Sequence, residues 1–317
     1  MNYTVRGFTL IELSIALVII GLIVGGVLVG QDMIKAAAVR AQVTQIEKFN
    51  QAANAFKGKY GYLPGDIPNP FAAQFGFKTR GPYKGEGDGN GIIESNCCNN
   101  PYGLADYYTM QGEEAMFWVD LSTANMIEGS FSTATPTAVI TATIPASGVG
   151  QYFPAAKIGY GGYIYVWSNG WNGYEDNQYD GNNYFAVTAV TGSPSNNDGF
   201  PYSMPLMTPA QAYAIDKKMD DGLPQYGNVI AFDLFMGWAS GGPISSLSGV
   251  FYENYGGDCD PVNCGPVVAG DGEQTPLSTS QPANTTCFDN KNVAGATENY
   301  SLTNSTMVNC SLSFRFQ

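Results

Sequence analysis

Apolar residues crowd the start of the chain. From Phe8 to Val29 a single residue of 22, Glu12, carries charge. A helix of that length covers about 33 Å at about 1.5 Å per residue, enough to cross a bilayer core. A secretory signal peptide also joins a basic end to an apolar core, but it normally closes on a small-residue cleavage site. Here the run passes without such a break into a second pattern. Val39, Val43, Ile46, Phe49, Ala53 and Phe56 recur at spacings of three and four, a stripe that buries one helix face and leaves Lys48 and Lys57 wet. Gly58, Gly61 and Pro64 then supply stop signals. The pattern predicts one helix of about 50 residues, about 75 Å long, greasy all round in its first half and one-sided in its second.

Beyond this helix the period changes. Met116, Phe117, Leu121 and Met126 lie near helical spacing within Glu113 to Met126, which predicts a short helix stopped at Gly129. Residues 130–150, rich in Thr, Ala, Ser and Pro, predict an exposed loop or irregular strand. The runs "GYGGYIYVWS" and "NYFAVTAV" are β-prone, and "NGWNGYEDNQYDGN" between them predicts a long hairpin with an elaborated tip. That tip carries Trp171, Tyr174 and Tyr179 beside Asn and Asp, a mix that suits a surface glycan and equally suits any packed loop. Thr208, Pro209 and Gln211 form a capping signal for a helix to about Asp220. "NVIAFDLFMGW", "VFYENY" and "MVNCSLSFRF" read as strands. The expected fold class is α+β: a long N-terminal helix packed on a mainly antiparallel sheet, with extra short helices, the sheet lying on the stripe from Val39 to Phe56.

Composition narrows the function classes. The chain has 14 basic and 27 acidic residues, no histidine and a net charge of −13. That balance argues against sequence-independent binding to nucleic acid or anionic lipid, which needs a basic footprint, while leaving room for a local patch. With 39 glycines, 18 prolines, 20 tyrosines and only 13% charged residues, the 61–317 region reads as turn-rich β structure rather than a bundle. Signals for an enzyme are thin: there is no histidine for general base work, no phosphate-binding loop and no nucleophile elbow. Asp220 and Asp221 follow Lys217 and Lys218 at a helix end, where solvated charge is the ordinary explanation. A carboxylate-only hydrolase would need two acids facing each other in a deep cleft. The Asn-x-Ser/Thr matches at Asn284, Asn299 and Asn304 carry no assigned function.

A short leader ending in Gly7, then Phe8, Thr9, Leu10, Ile11 and Glu12 and an apolar stretch, resembles the prepilin signature of type IV pilins and type II secretion pseudopilins. The resemblance implies cleavage between Gly7 and Phe8 by a prepilin peptidase, methylation of the new Phe8 amine, and pairing of the Glu12 carboxylate with the positive N-terminus of a neighbouring subunit. Such pairing answers the oddity of a glutamate in an apolar run, since a charge in hydrocarbon is costly alone. The resemblance is strong over about the first 60 residues and weak beyond, where "FWVDLSTANMIEG" and "TPAQAYAIDKKMDDGLP" are similar to segments of large pilin-like proteins. Many major pilins carry a proline in the apolar half, and this chain has Gly21, Gly25, Gly26 and Gly30 instead, which also permit bending. Charge does not set orientation, because Arg6 stands against Lys35 and Arg40; a cytoplasmic N-terminus is implied by the resemblance.

The implied organisation is a leader over 1–7, a membrane and filament-core helix over 8–30, its amphipathic continuation over 31–60 and a globular head over 61–317. Implied partners are other pilin subunits in a helical filament, the peptidase and an inner-membrane assembly platform. The implied location is the inner membrane and then a cell-surface filament. A periplasmic pseudopilus and an adhesive minor or tip subunit are the alternatives.

Outside the cytoplasm an even set of cysteines, Cys97, Cys98, Cys259, Cys264, Cys287 and Cys310, points to disulfides. Six cysteines allow about 15 connectivities. The favoured pairing closes a C-terminal loop with Cys287–Cys310, staples a turn with Cys259–Cys264 and leaves Cys97 with Cys98. The strongest chemical motif is "GEGDGNGIIE", in which Glu86, Asp88, Asn90, the Ile92 carbonyl and Glu94 follow the ligand order of a calcium loop around Gly91. Cys97 stands where the completing acid belongs, so a further ligand must come from elsewhere, with Asp106, Glu113 and Glu114 as candidates. A glycine-rich turn with solvated acids has the same composition.

Overall fold

The computed structural model describes residues 9–82, 85–94, 111–136, 144–159, 161–168, 182–193, 202–224, 226–231, 287–289, 299–302, 308 and 310–316. Helix α1 (Leu10–Tyr60) runs for 51 residues. Its stop is Gly61, at φ 84°, whose amide donates to the Lys57 carbonyl at 2.8 Å. Gly58 stays inside the helix: an interior glycine costs about 1 kcal/mol, whereas the left-handed cap position selects glycine outright. Along α1 the buried residues are Val39, Gln42, Val43, Ile46, Phe49, Ala52, Ala53 and Phe56, the predicted stripe with Gln42 and Ala52 added. No residue from Leu10 to Ala38 is buried.

The head follows as α2 (Phe71–Gln74), α3 (Gly112–Thr123), β1 (Ile144–Pro145), α4 (Ala146–Val149), β2 (Tyr163–Ser168), β3 (Asn183–Ser193) and β4 (Tyr202–Met204). It continues with α5 (Pro209–Met219), β5 (Val229–Ile230), β6 (Phe288–Asp289), β7 (Asn299–Tyr300) and β8 (Leu312–Phe316). Strand β3 is the spine. Strand β2 pairs along one side of it, from Tyr163 opposite Thr188 to Ser168 opposite Asn183. Strand β8 pairs along the other, from Asn183 opposite Phe316 to Val187 opposite Leu312, and β5 lies beyond β8. The far end of β3 pairs with β1 and β4. Every pairing is antiparallel.

Burial on both faces explains why "YIYVWS" lacks polar alternation: Ile164, Tyr165, Val166, Trp167 and Ser168 are all buried. The stripe of α1 does not meet the sheet alone. The Phe49 ring sits 4.9 Å from Trp118 of α3 and 6.3 Å from Phe185 of β3, and α5 also packs on α1. Burying Val43, Ile46, Phe49 and Phe56 contributes about 1.5–3 kcal/mol each. Polar clamps add direction, since Gln42 Oε1 accepts from the Ile158 amide at 2.9 Å. Gln45 donates to the Ala155 carbonyl at 2.8 Å and accepts from the Lys157 amide at 2.9 Å.

Two further elements match their sequence signals. Thr208 and Gln211 form the reciprocal cap of α5, with the Gln211 amide donating to Thr208 Oγ1 at 3.3 Å and the Thr208 amide to Gln211 Oε1 at 3.0 Å. Strands β6 and β7 form a separate two-stranded ribbon, tied to the sheet by a Cys287–Cys310 disulfide with Cα atoms 4.9 Å apart. Cys97, Cys98, Cys259 and Cys264, "VFYENY", the hairpin tip with Trp171, Tyr174 and Tyr179, and the sites Asn284 and Asn304 lie outside the described residues.

Candidate functional site

Two places carry the expected chemistry. At the start of α1, Glu12 folds back on its own helix: its Oε2 accepts from the Thr9 amide at 2.8 Å and from the Thr9 hydroxyl at 2.7 Å. In return the Glu12 amide donates to Thr9 Oγ1 at 3.3 Å. This is a capping box, which satisfies amides that a helix start leaves unpaired and sets a negative charge against the positive end of the helix dipole. Thr9 is the partner that a reading of Glu12 by itself overlooks, and the Thr-x-x-Glu spacing is the signal for it. Gly7 and Phe8 lie outside the described residues. The helix behind this cap is long and apolar enough to cross a membrane, and its most apolar window is 0% buried. Such a helix fits a membrane-anchored protein.

The second place is the glycine-rich loop over residues 85–94. Two buried carboxylates from outside it organise its backbone. Glu113, in the first turn of α3, accepts from the Gly87 amide at 2.9 Å and the Asp88 amide at 3.2 Å through Oε1, and from the Glu94 amide at 2.9 Å through Oε2. Asp66 accepts from the Gly89 amide at 2.7 Å and the Gly91 amide at 2.8 Å. Within the loop, Asp88 accepts from the Asn90 amide at 2.9 Å and Asn90 from the Ile92 amide at 2.7 Å. Asn183, the first residue of β3, clamps the exit by accepting from the Ile93 amide at 2.7 Å and donating to the Gly91 carbonyl at 2.9 Å. The alternating glycines are required: Gly87 sits at φ 100°, and a Cβ there would lie 2.7 Å from the Arg80 side chain and from the Ile67 carbonyl. Only a residue without a side chain allows that turn and that approach.

Burial and mutual repulsion set the electrostatics. One carboxylate oxygen from each of Asp66, Asp88 and Glu113 falls in a group within 4.8 Å of one another. Burial first, and then the charge of Asp88, pushes Asp66 up to about 7 against the pull of its amide donors. Burial, Asp66, Glu94 and Asp88 together drive Glu113 well above the ordinary carboxylate range, in spite of the Glu94 amide. The cation that runs under the loop is committed elsewhere: Arg80 Nη2 pairs with Asp120 at 2.5 Å, both side chains fully buried. Asp120 also accepts from the Gly65 amide at 2.7 Å. Burial still raises Asp120, because desolvation outweighs even Arg80.

Of the residues expected to hold calcium, Asp88 enters this group, with Glu113 as the further ligand from elsewhere and Asp66 as an unforeseen one. Glu86 and Glu94 are buried within the loop but stand outside the group. The Asn90 carbonyl oxygen is engaged by the Ile92 amide. Glu114 is buried on α3, and Asp106 lies outside the described residues.

A second acidic group, Asp216, Asp220 and Asp221, closes α5, and its members are not merely solvated. Asp216 accepts from the Tyr300 hydroxyl at 2.8 Å and the Gly222 amide at 3.1 Å. Asp220 accepts from the Val229 amide at 3.1 Å and from the Asn228 amide. Burial raises Asp216 to about 7, against the hydrogen bonds of Tyr300 and Gly222 and with help from Asp221 and Asp220. These acids hold the turn into β5 and the ribbon of β6 and β7.

Comparison with known proteins finds the prokaryotic N-terminal methylation motif over residues 3–28. That span contains Gly7, Phe8, Thr9 and Glu12. No curated protein and no solved structure matches the chain. The motif implies processing by prepilin peptidase and assembly with other pilin subunits, and with it the chain carries the prepilin-type signature of type IV pilins and type II secretion pseudopilins.

Proposed function

We propose that the chain is a structural, non-enzymatic subunit of a type IV pilus-like filament, cut between Gly7 and Phe8, methylated on Phe8 and polymerised through the first half of α1. One observation carries this reading. Sixteen large apolar side chains from Leu10 to Ile34 are more than half exposed, while one face of the same helix from Val39 to Phe56 is buried in its own head. Left in water, those side chains would cost on the order of 25 kcal/mol or more, so this half of α1 needs a bilayer and, after extraction, the apolar helices of neighbouring copies. The head stands outside the cytoplasm, where the Cys287–Cys310 disulfide persists. Mass spectrometry of assembled fibres tests the proposal: a methylated Phe8 N-terminus is expected, and an intact Met1 in fibres would refute it. The same experiment places the fibre, since recovery from the cell surface supports a pilus and recovery only from the periplasm supports a pseudopilus.

The loop supports a second, dependent reading. We propose that Asp66, Asp88 and Glu113 hold calcium. The donors are hard oxygens of the kind that calcium takes. Burial first, and then their convergence within 4.8 Å, raises the proton affinity of Asp66 and Glu113, and a divalent cation would relieve the repulsion between them. Calcium there would tie the loop to α3 and to the turn after α1.

A further inference from the structure

Asn90 precedes Gly91 in the glycine-rich loop. A glycine in that place offers the least hindrance to a backbone nitrogen that closes on the side-chain carbonyl before it. Asn90 is exposed, and a Cβ added to Gly91 would meet nothing within 4 Å, so no neighbouring atom crowds the dipeptide. Three hydrogen bonds hold its reacting atoms. The Gly91 amide donates to Asp66 Oδ2 at 2.8 Å. Asn90 Oδ1 accepts from the Ile92 amide at 2.7 Å, and Asn90 Nδ2 donates to Asp88 Oδ2 at 3.0 Å.

We infer that Asn90–Gly91 is a self-modification site, at which the folded loop promotes conversion of Asn90 to aspartyl and isoaspartyl products through a cyclic imide. The Gly91 nitrogen attacks Asn90 Cγ, its proton passes to Asp66 Oδ2, and the carbonyl electron pair moves onto Asn90 Oδ1, where the Ile92 amide holds it. Collapse breaks the Cγ–Nδ2 bond. The departing nitrogen takes up the proton lent to Asp66 and leaves as ammonia. Water then opens the imide at either carbonyl carbon: cleavage between Cγ and the Gly91 nitrogen gives aspartate, and cleavage between the main-chain carbonyl carbon of residue 90 and that nitrogen gives isoaspartate. Water is consumed, ammonia is released, and no metal, oxidant or cofactor takes part. The hydrogen bond to Asp66 does not block the attack, because the N–H lies in the peptide plane and the electrons that form the new bond lie perpendicular to it.

Proton acceptor, nucleophile and oxyanion donor are thus in place before reaction, as an acyl transfer requires. The preceding unit repeats the arrangement: the Gly89 amide donates to Asp66 Oδ1 at 2.7 Å, and Asp88 Oδ1 accepts from the Asn90 amide at 2.9 Å. A carboxylate is a far poorer electrophile than a carboxamide, so chemistry rather than position selects Asn90 over Asp88. The products alter the loop. Aspartate at position 90 adds a charge beside Asp88 and Glu94, and isoaspartate lengthens the main chain by one carbon and shifts the Gly91 amide from Asp66. Asn169–Gly170 and Asn172–Gly173 repeat the dipeptide outside the described residues.

The test incubates the full chain in detergent with chelator and 18O-labelled water, beside a synthetic peptide of residues 85–94 in the same buffer. Mass spectrometry with electron-transfer fragmentation follows residue 90. Both aspartyl and isoaspartyl products carrying the label are expected, formed about tenfold faster in the folded chain than in the peptide. Asp66→Asn, which keeps an acceptor oxygen but is no base, is expected to bring the rate of the folded chain down to that of the peptide. Equal or slower reaction in the folded wild-type chain overturns the inference. So does an Asp66→Asn chain that reacts as fast as wild type. Labelled aspartate without isoaspartate shows direct hydrolysis of the side chain and overturns it too. Should Asp66→Asn misfold, the comparison of wild-type chain with peptide decides. None of these outcomes bears on the filament or calcium readings, which the fibre and melting experiments test.

Discussion

Replacing Glu113 separates the role of a buried carboxylate from that of a solvated one. In Glu113→Ala the amides of Gly87, Asp88 and Glu94 lose their acceptor. Gly87 and Glu94 are buried while Asp88 is exposed, so water replaces the acceptor only at Asp88. An unpaired buried amide costs about 1–3 kcal/mol, which gives about 2–6 kcal/mol for two. Removal of a buried carboxyl whose own desolvation is unfavourable offsets part of this, and we expect about 2–4 kcal/mol of destabilisation. Glu113→Gln keeps one oxygen for Gly87 and Asp88 and turns an NH2 toward the Glu94 amide, so about 1–2 kcal/mol is expected. Urea unfolding of the full chain in detergent, followed by tryptophan fluorescence, reports the effect, since Trp118 lies buried on the same helix. Amide exchange at residues 87 and 94 should rise in the alanine variant before global unfolding. If Glu113→Ala stays within about 0.5 kcal/mol of wild type, or harms the protein less than Glu113→Gln, the acceptor role assigned to this carboxylate is wrong.

Calcium at millimolar concentration should raise the melting temperature of the wild-type chain relative to chelator, magnesium should do so far less, and Asp88→Ala should abolish the difference; superimposable melting curves with calcium and chelator would remove the metal from the loop. Thr9→Ala should weaken the cap of α1 by about 0.5–2 kcal/mol yet spare cleavage, whereas Glu12→Ala should also deplete the fibre; quantification of sheared fibres against total cleaved protein checks both, and wild-type fibre levels from Glu12→Ala count against its role. Asp216 has a folded-state pKa raised to about 7, above its unfolded value near 3.9. The folded chain therefore binds the extra proton, and the stability tied to it is full below about pH 4 and falls as pH rises to about 7, by at most on the order of 4 kcal/mol. Asp216→Asn, which keeps an acceptor for Tyr300, should flatten that fall in denaturant titrations at pH 4 to 8, and an unchanged slope would refute it.

What the sequence determined by itself was whatever rests on neighbours within a few residues. The apolar run and the stripe from Val39 to Phe56 specify α1. Thr208 and Gln211 specify the start of α5. The two β-prone runs pair as the expected antiparallel hairpin of β2 and β3. The signature at Gly7, Phe8 and Glu12 is equally local, because it is carried by six consecutive residues. The glycine-rich loop was visible as a place, through its alternation of glycine with acids and amides.

What organises that loop was decided only by the tertiary structure. Asp66 follows the turn after α1 and reads as an ordinary polar residue, and Glu113, in a first helical turn where carboxylates are favoured, is one of three acids the sequence offers as a further ligand without choosing among them. Packing of α3 between α1 and the sheet buries Glu113 together with Trp118 and brings it, Asp66 and Asp88 together from three separate segments. Desolvation then changes their chemistry, raising proton affinities that no local spacing encodes. The same holds for Asp216, whose partner Tyr300 arrives from a ribbon that the Cys287–Cys310 bridge ties to the sheet. Short-range order is written in periodicity and caps, but the pairing of buried charges depends on which distant segments meet once water has been excluded.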